Sequence, residues 1–170
     1  MSLHLPPAPP LRRRLAAMMY EALLLFGVVF ATGLLFDTMT ESRHILTLRH
    51  ARQMILFVVL GLYFVFFWSR GGQTLAMKTW RIRLVAEVDQ RVRFRQALVR
   101  YLCAWMWFLP AVTIVYAFEL KGWTSISVIA IGMLIWAAGI FLHPERQFLH
   151  DRLAGTRLVT FETPQAPPKK

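Results

Sequence analysis

The sequence has little charge and few of the residues on which disulfide-bonded domains and metal centres depend. Only 17% of its 170 residues are charged, against about 25% in soluble globular domains. Its one cysteine, Cys103, excludes an internal disulfide and a thiolate metal cluster. The five histidines show no familiar metal-ligand spacing. The sequence therefore predicts no metal site and no cofactor.

Enzyme motifs are also lacking. The sequence contains no serine or cysteine nucleophile beside a base, no H-E-x-x-H pair and no phosphate-binding P-loop, so we expect no enzymatic activity. The net charge of +11 could indicate a nucleic-acid partner. In a chain with long apolar runs, however, such charge is typical of the cytoplasmic membrane face, where anionic lipid headgroups attract it. We therefore predict lipid, and no nucleic acid, as the partner of the basic residues.

Long apolar runs are what the sequence has in abundance, since 56% of its residues are hydrophobic. A transmembrane helix needs about 20 such residues. The first run follows three arginines, as in a signal peptide, but it is too long for a signal core and no small-residue cleavage site follows. The sequence thus predicts an all-α integral membrane protein, a four-transmembrane-helix bundle. The predicted spans are 15–36, 52–69, 98–118 and 124–142, within a domain at 11–160 between a disordered lead (1–10) and a disordered tail (161–170).

Lysine and arginine are unevenly distributed among the segments outside these spans. The two ends of the chain and the stretch 70–100 contain 16 of the 20 basic residues, and the other two connections contain four. Cytoplasmic segments are enriched in lysine and arginine. We therefore expect both termini and the middle loop, 70–97, to lie on the cytoplasmic side of a bacterial inner membrane.

The middle loop alternates apolar and basic residues in two stretches. Such period-two alternation is typical of strands, so the loop is predicted to form a small cytoplasmic β-hairpin between helices 2 and 3. One face of this hairpin would be cationic. It would act either as a solvated surface near anionic lipid or as a specific site for a lipid headgroup or protein partner. Its members are Arg81, Arg83, Arg91, Arg93 and Arg95.

Carboxylates and arginines near the ends of the apolar runs form the candidate site. A charge at membrane depth is costly unless it is paired or hydrated, and by default it indicates function. The expected orientation brings five such residues to one side, namely Arg14, Glu21, Arg100, Asp151 and Arg152. We expect Arg152 or Arg100 to pair with Glu21, and Arg14 to pair with Asp151. This network is either a set of ion pairs that fixes helix docking or a cation or proton site.

Three sequence blocks resemble the RDD family of bacterial membrane proteins, which is named for one arginine and two aspartates. The blocks are RRLAAMMYE in the first helix, GGQTLAMKTWRIRLV after the second and LHDRLAGTRLV after the last. The resemblance places the family arginine at Arg14 and the acidic positions at Glu21 and Asp151, with glutamate where the family has aspartate. Because some members are linked to sodium/proton antiport, it implies cation transport as one function.

Two functions are therefore left open by the sequence. The first is a multi-pass protein of the RDD type whose charged network binds or transports a small cation coupled to protons. A chain of 170 residues would then need a homo-oligomer to enclose a path. The second is a membrane scaffold or assembly module that binds other membrane proteins or anionic lipid, without transport.

Overall fold

The computed structural model of the chain describes residues 6–40, 48–86, 91–139 and 147–161. Parts of the predicted lead and tail, at 1–5 and 162–170, lie outside these residues, as does the polar patch 87–90 of the predicted hairpin. The elements in chain order are α1 (Leu11–Met39), α2 (Arg49–Gly71), α3 (Leu75–Thr79), β1 (Ile82–Ala86), α4 (Phe94–Ala104), a 3-10 turn (Trp105–Trp107), α5 (Leu109–Ala117), α6 (Trp123–Ala138), α7 (Leu149–Leu153) and β2 (Thr156–Thr160).

Within the described residues, three helices are long and apolar enough to cross a membrane. They are α1, α2 and the continuous stretch Phe94–Ala117, which comprises α4, the 3-10 turn and α5; the mean hydropathies of their most apolar windows are 2.0, 1.8 and 1.6. Their outward faces present large apolar side chains, such as Leu23 and Phe26 on α1, which are about 70% exposed. A lipid-facing surface accounts for such extensive exposed apolar area.

The fourth predicted span is represented by α6, an apolar helix of 16 residues. This is shorter than the roughly 20 residues that cross the hydrocarbon core, and residues 140–142 of the predicted span lie outside the described residues. α6 packs closely on α5, because a Cβ at Gly132 would lie 2.8 Å from the Cβ of Ala111. Pro110 lies in the first turn of α5, where its missing N–H requires no helical acceptor.

The predicted hairpin between helices 2 and 3 is wrong. β1 forms from the first alternating stretch, but it pairs antiparallel with β2, with Ile82 opposite Thr160 and Ala86 opposite Thr156. The second alternating stretch is not a strand, because Arg93 is the N-cap of α4 and its backbone N–H bonds the Gln96 side chain in a capping box. Alternation indicates that a segment can be a strand, but it does not identify the partner strand.

The buried core lies where the small sheet and α3 pack on one end of the long helices. Gly72, the C-cap of α2, allows β1 to approach the end of this helix and has φ +68°. Its carbonyl accepts a hydrogen bond from the Leu84 N–H at 2.7 Å. A Cβ at this position would clash with the Leu84 carbonyl oxygen. The core unites both strands and four helices. Its residues are Ala17, Val65, Trp68, Met77, Ile82, Leu84, Val92, Ala97, Tyr101 and Leu158.

Candidate functional site

Glu21 of α1 is buried, and each of its carboxylate oxygens accepts a hydrogen bond from a hydroxyl group. Tyr63 of α2 donates to Oε1 at 2.6 Å, and Thr74 donates to Oε2. Thr74 is the N-cap of α3, and the same hydroxyl accepts from the backbone N–H of Met77 at 3.3 Å. These contacts join three segments that are distant in the sequence. Glu21, Tyr63 and Thr74 are called the Glu21 site below.

Asp151 of α7 is fully buried and forms an ion pair with Arg100 of α4. Nε and a terminal nitrogen of Arg100 both lie 2.7 Å from Oδ1 of Asp151. The Arg100 guanidinium also lies 4.2 Å from the centroid of the Trp68 ring, which attracts it as a cation over a π face. Oδ2 of Asp151 is buried and, among the residues described, has no hydrogen-bond partner. This pair connects the third long helix to the segment that leads into β2.

Arg14 is the second buried guanidinium in this region and is only 2% exposed. Its Nε donates to the Pro9 carbonyl at 2.9 Å, and its guanidinium lies 5.7 Å from the centroid of the Phe148 ring. It is close enough to Asp151 to be attracted and close enough to Arg100 to be repelled. Arg14, Arg100, His150 and Asp151 are called the Asp151 cluster below.

His150 completes this cluster as a neutral side chain. Its ring stacks on Phe148 with a centroid distance of 5.4 Å, and Nε2 lies 3.5 Å from Oδ1 of Asp151. Burial lowers the pKa of His150 to about 4; the attraction of Asp151 opposes this shift and the repulsion of Arg100 adds to it. The imidazole is therefore uncharged near neutral pH, and its contact with Asp151 is not an ion pair under those conditions.

The charged residues selected from the sequence lie in different places from those expected. Arg100 pairs with Asp151 rather than with Glu21, and Arg152 is exposed on α7. Arg14 is attracted to Asp151, and it also contacts Pro9 and Phe148. Charge alone favours cations as partners of Glu21, whereas the fold supplies two neutral hydroxyls.

Sequence reasoning missed the partners Tyr63, Thr74, Trp68 and His150. Thr74 lies within GGQTLAMK and His150 within LHDRLAGT, in two of the three blocks that resemble the family, and this position is the signal that the sequence offers for them. Tyr63 and Trp68 have no such signal. They lie among many aromatic residues of α2, and only the packing distinguishes them.

The five basic residues of the predicted cationic face do not form one strip. Arg81 lies in the turn before β1 with φ +52°, and Arg93 caps α4. Arg83 is half-buried on β1, with its guanidinium 5.3 Å from the centroid of the Phe161 ring. Arg91 and Arg95 are exposed beside and within the first turn of α4. Their separation follows directly from the pairing of β1 with β2.

A comparison with known protein families shows the family to which the chain belongs. A family model described as the RDD family matches residues 8–155, which extend from before α1 to the end of the α7 turn. The chain belongs to the RDD family. No curated protein and no solved structure matches it. The RDD match includes all three residues of the Glu21 site and all four of the Asp151 cluster.

Among the described residues, no group of three or more histidine, cysteine, aspartate or glutamate side chains could hold a metal ion. The oxygens of the Glu21 site come instead from one carboxylate and two hydroxyls. Oxygen ligands of this kind suit hard cations rather than transition metals. The Asp151 cluster, in contrast, already contains an anion and two cations. The two groups therefore differ in what they can bind within this RDD chain.

Proposed function

We propose that this RDD protein binds a small hard cation and protons in competition at the Glu21 site. The observation that supports this proposal is the nature of the Glu21 partners: both hydrogen bonds come from neutral hydroxyls. The ion pairs among the described residues join Asp37 to Arg52 and Asp151 to Arg100. A buried charge is costly unless it is paired or neutralised. A carboxylate in this position is therefore best stabilised by taking up a cation or a proton.

Competition at one carboxylate would couple the two ions. When Glu21 is protonated, it no longer attracts a cation; when a cation is bound, the proton is displaced. The hydroxyls of Tyr63 and Thr74 can serve in both states, because a hydroxyl is a donor to the bare carboxylate and also has lone pairs for a cation. Alternate binding of this kind is the elementary requirement of cation/proton exchange across a membrane.

The membrane arrangement belongs to the same proposal. Four spans, the fourth containing α6, would lie in a bacterial inner membrane with both termini cytoplasmic. The distribution of lysine and arginine supports this orientation. The sheet and α3 would then lie at the cytoplasmic face, and the Glu21 site just inside it. A homo-oligomer would supply the remaining walls of a transport path.

The test is cation-dependent proton flux in proteoliposomes that contain the full chain and a pH-sensitive dye. We expect flux driven by a sodium or potassium gradient in the wild type, loss of at least tenfold in Glu21→Gln, and retention in Glu21→Asp, which keeps the charge. Asp37→Asn is the matched control, since it removes a carboxylate at the opposite end of α1. We expect it to leave the flux unchanged.

Two results would refute the proposal. The first is flux in correctly inserted Glu21→Gln at the wild-type level, which would mean that the carboxylate charge is not used. The second is no flux with sodium, potassium or lithium in any form of the protein. The second result would favour the scaffold function, in which the buried charges serve only to dock the helices.

A further inference from the structure

An apolar groove runs along the outer surface between α2 and α4. It has a volume of about 370 Å³, within the range of roughly 300–1,000 Å³ that is typical of small-molecule sites. Its walls include Phe57, Leu62 and Val65 of α2 and Leu98 of α4. Gly61 allows α4 to approach closely, because a Cβ at that position would lie 3.0 Å from the Tyr101 ring. The groove is nearly free of polar atoms along its length.

A polar pocket of about 350 Å³ lies next to this groove, at the end of α2 that meets the small sheet. Ser69 and Arg70 line both cavities and so connect them. Three arginines from different elements line the polar pocket: Arg70 ends α2, Arg83 lies on β1, and Arg91 precedes α4. Among the described residues that line this pocket, there is no aspartate or glutamate. The pocket is therefore strongly cationic.

Two of these guanidinium groups are positioned by aromatic rings rather than by carboxylates. Arg70 lies 4.7 Å from the centroid of the Phe66 ring, and Arg83 lies 5.3 Å from that of Phe161. Nε of Arg83 is buried and has no hydrogen-bond partner in the described part of the chain. A ring face fixes a guanidinium without using its N–H groups. Among the described residues, no ion pair joins these three arginines to a carboxylate, so their N–H donors are available to an anion.

We propose that the two cavities together bind one anionic membrane phospholipid, with its phosphate among Arg70, Arg83 and Arg91 and an acyl chain along the groove. Charge complementarity selects the headgroup, since guanidinium groups bind phosphate oxygens through parallel N–H donors. The continuity of the polar pocket with an apolar groove selects a lipid over a soluble anion, because a soluble anion would leave the groove unused. This site is separate from the Glu21 site and requires only that α2 and α4 lie in the bilayer.

Native mass spectrometry of the detergent-solubilised full chain tests the headgroup contacts, with phosphatidylglycerol and phosphatidylcholine as probes. We expect phosphatidylglycerol to be retained in preference, because the choline cation of the other lipid is repelled. An arginine near a membrane surface contributes about fivefold to anionic lipid binding. The triple variant R70Q/R83Q/R91Q should therefore lose retention by tenfold or more. The double variant R70Q/R91Q changes only exposed residues, so it tests the same contacts without disturbing the packing of β1.

The matched control removes three other arginines, in the variant R12Q/R95Q/R152Q. All three are exposed, and none lines either cavity. Because the net charge falls by the same amount, we expect the control to retain phosphatidylglycerol within about twofold of the wild type. Equal losses in the control and in the triple variant would overturn the proposal, since they would show that only the overall charge matters.

Substitutions in the groove test the acyl-chain contact. Leu62→Trp and Leu98→Trp place a large ring in the groove at positions that are 66% and 39% exposed, so the protein core is not disturbed. We expect each to reduce phosphatidylglycerol retention, whereas Leu34→Trp on α1 should not. Two outcomes would refute the proposal that a lipid occupies this site. In the first, glycerol 3-phosphate binds as tightly as phosphatidylglycerol. In the second, the groove variants abolish a dimer of the chain and leave lipid retention unchanged.

Discussion

Replacement of Asp151 by asparagine is the sharpest test of the Asp151 cluster. Asparagine has nearly the same shape, so the change removes the negative charge without leaving a cavity. Arg14 and Arg100, which are 2% and 6% exposed, would then lie near one another without the carboxylate that attracts both. We therefore expect Asp151→Asn to destabilise the folded protein strongly.

The size of the expected destabilisation follows from the burial of the ion pair between Asp151 and Arg100. Removing one partner of a buried ion pair costs about 3–5 kcal/mol of unfolding free energy. For a chain of 150–250 residues, each kcal/mol shifts Tm by about 2–4 °C. The expected decrease in Tm is therefore roughly 6–20 °C. Arg100→Gln should cost less than Asp151→Asn, because Arg14 continues to attract Asp151 when Arg100 is absent.

The assay is thermal unfolding of the purified full chain in one detergent, followed by tryptophan fluorescence. Asp37→Asn is the matched control, because Asp37 also forms an ion pair, with Arg52, but their side chains are 40% and 23% exposed. Exposed pairs contribute about 0–1 kcal/mol. We therefore expect the Tm of this control to lie within about 4 °C of the wild type.

Two results would contradict this reasoning. If Asp151→Asn and Asp37→Asn shifted Tm by similar small amounts, burial of the Asp151 charge would not determine its contribution. If Arg100→Gln cost more than Asp151→Asn, the attraction between Arg14 and Asp151 would be negligible. Either result would contradict the inference that the Asp151 carboxylate attracts both buried guanidinium groups.

Three further predictions concern His150, Gly72 and Glu21. Because the folded state holds the His150 pKa at about 4 against 6.5 in the unfolded chain, only the unfolded chain takes up this proton as the pH falls from 6.5 to 4. The free energy of unfolding should therefore decrease by up to about 3 kcal/mol between pH 6.5 and 4. Denaturant titrations should show a smaller decrease in His150→Gln. The control His50→Gln, at an exposed position, should show the same decrease as the wild type. Gly72→Ala should destabilise the protein by about 2 kcal/mol or more, because φ is positive and the Leu84 carbonyl blocks a Cβ. Gly71→Ala has open space around the new Cβ and should be neutral or slightly stabilising. Thermal unfolding compares the two variants, and equal losses of stability would exclude this role for Gly72. Glu21→Gln should leave Tm unchanged or raise it, in contrast to Asp151→Asn, and a decrease of more than about 6 °C would indicate that the Glu21 charge is structural.

The long helices were predictable because the length and hydropathy of an apolar run are properties of one segment. The predicted second span, for example, lies within α2, Arg49–Gly71. The sheet was not predictable in the same way. Four helices, α4 to α7, separate β1 from β2 in the sequence, and nothing local in either strand specifies its partner. β2, Thr156–Thr160, follows the charged residues of α7, and its sequence TRLVT shows no clear alternation that would indicate a strand.

Four of the five charged residues in the predicted network are buried, and the fifth, Arg152, is exposed. Arg14, Glu21, Arg100 and Asp151 are conspicuous because charges are scarce in this sequence, and all four are buried. Which charge meets which depends on helix rotation and on the position of α7, and neither can be read from sequence spacing. Neutral donors such as the Tyr63 hydroxyl are even harder to predict, because an aromatic residue in an apolar helix is ordinarily a packing residue.

The two buried acids should respond to loss of charge in opposite ways, and this difference separates structure from function. Asp151 forms an ion pair with Arg100, so its removal takes away the carboxylate that this buried cation contacts. Glu21 meets two hydroxyls, so as an anion it adds the cost of a buried charge without an ion pair among the described residues. Glutamine at position 21 keeps one acceptor oxygen and removes that cost. Residues that reduce stability are commonly retained where activity requires them. Full stability of Glu21→Gln together with loss of ion exchange would therefore assign Glu21 to binding and Asp151 to the fold.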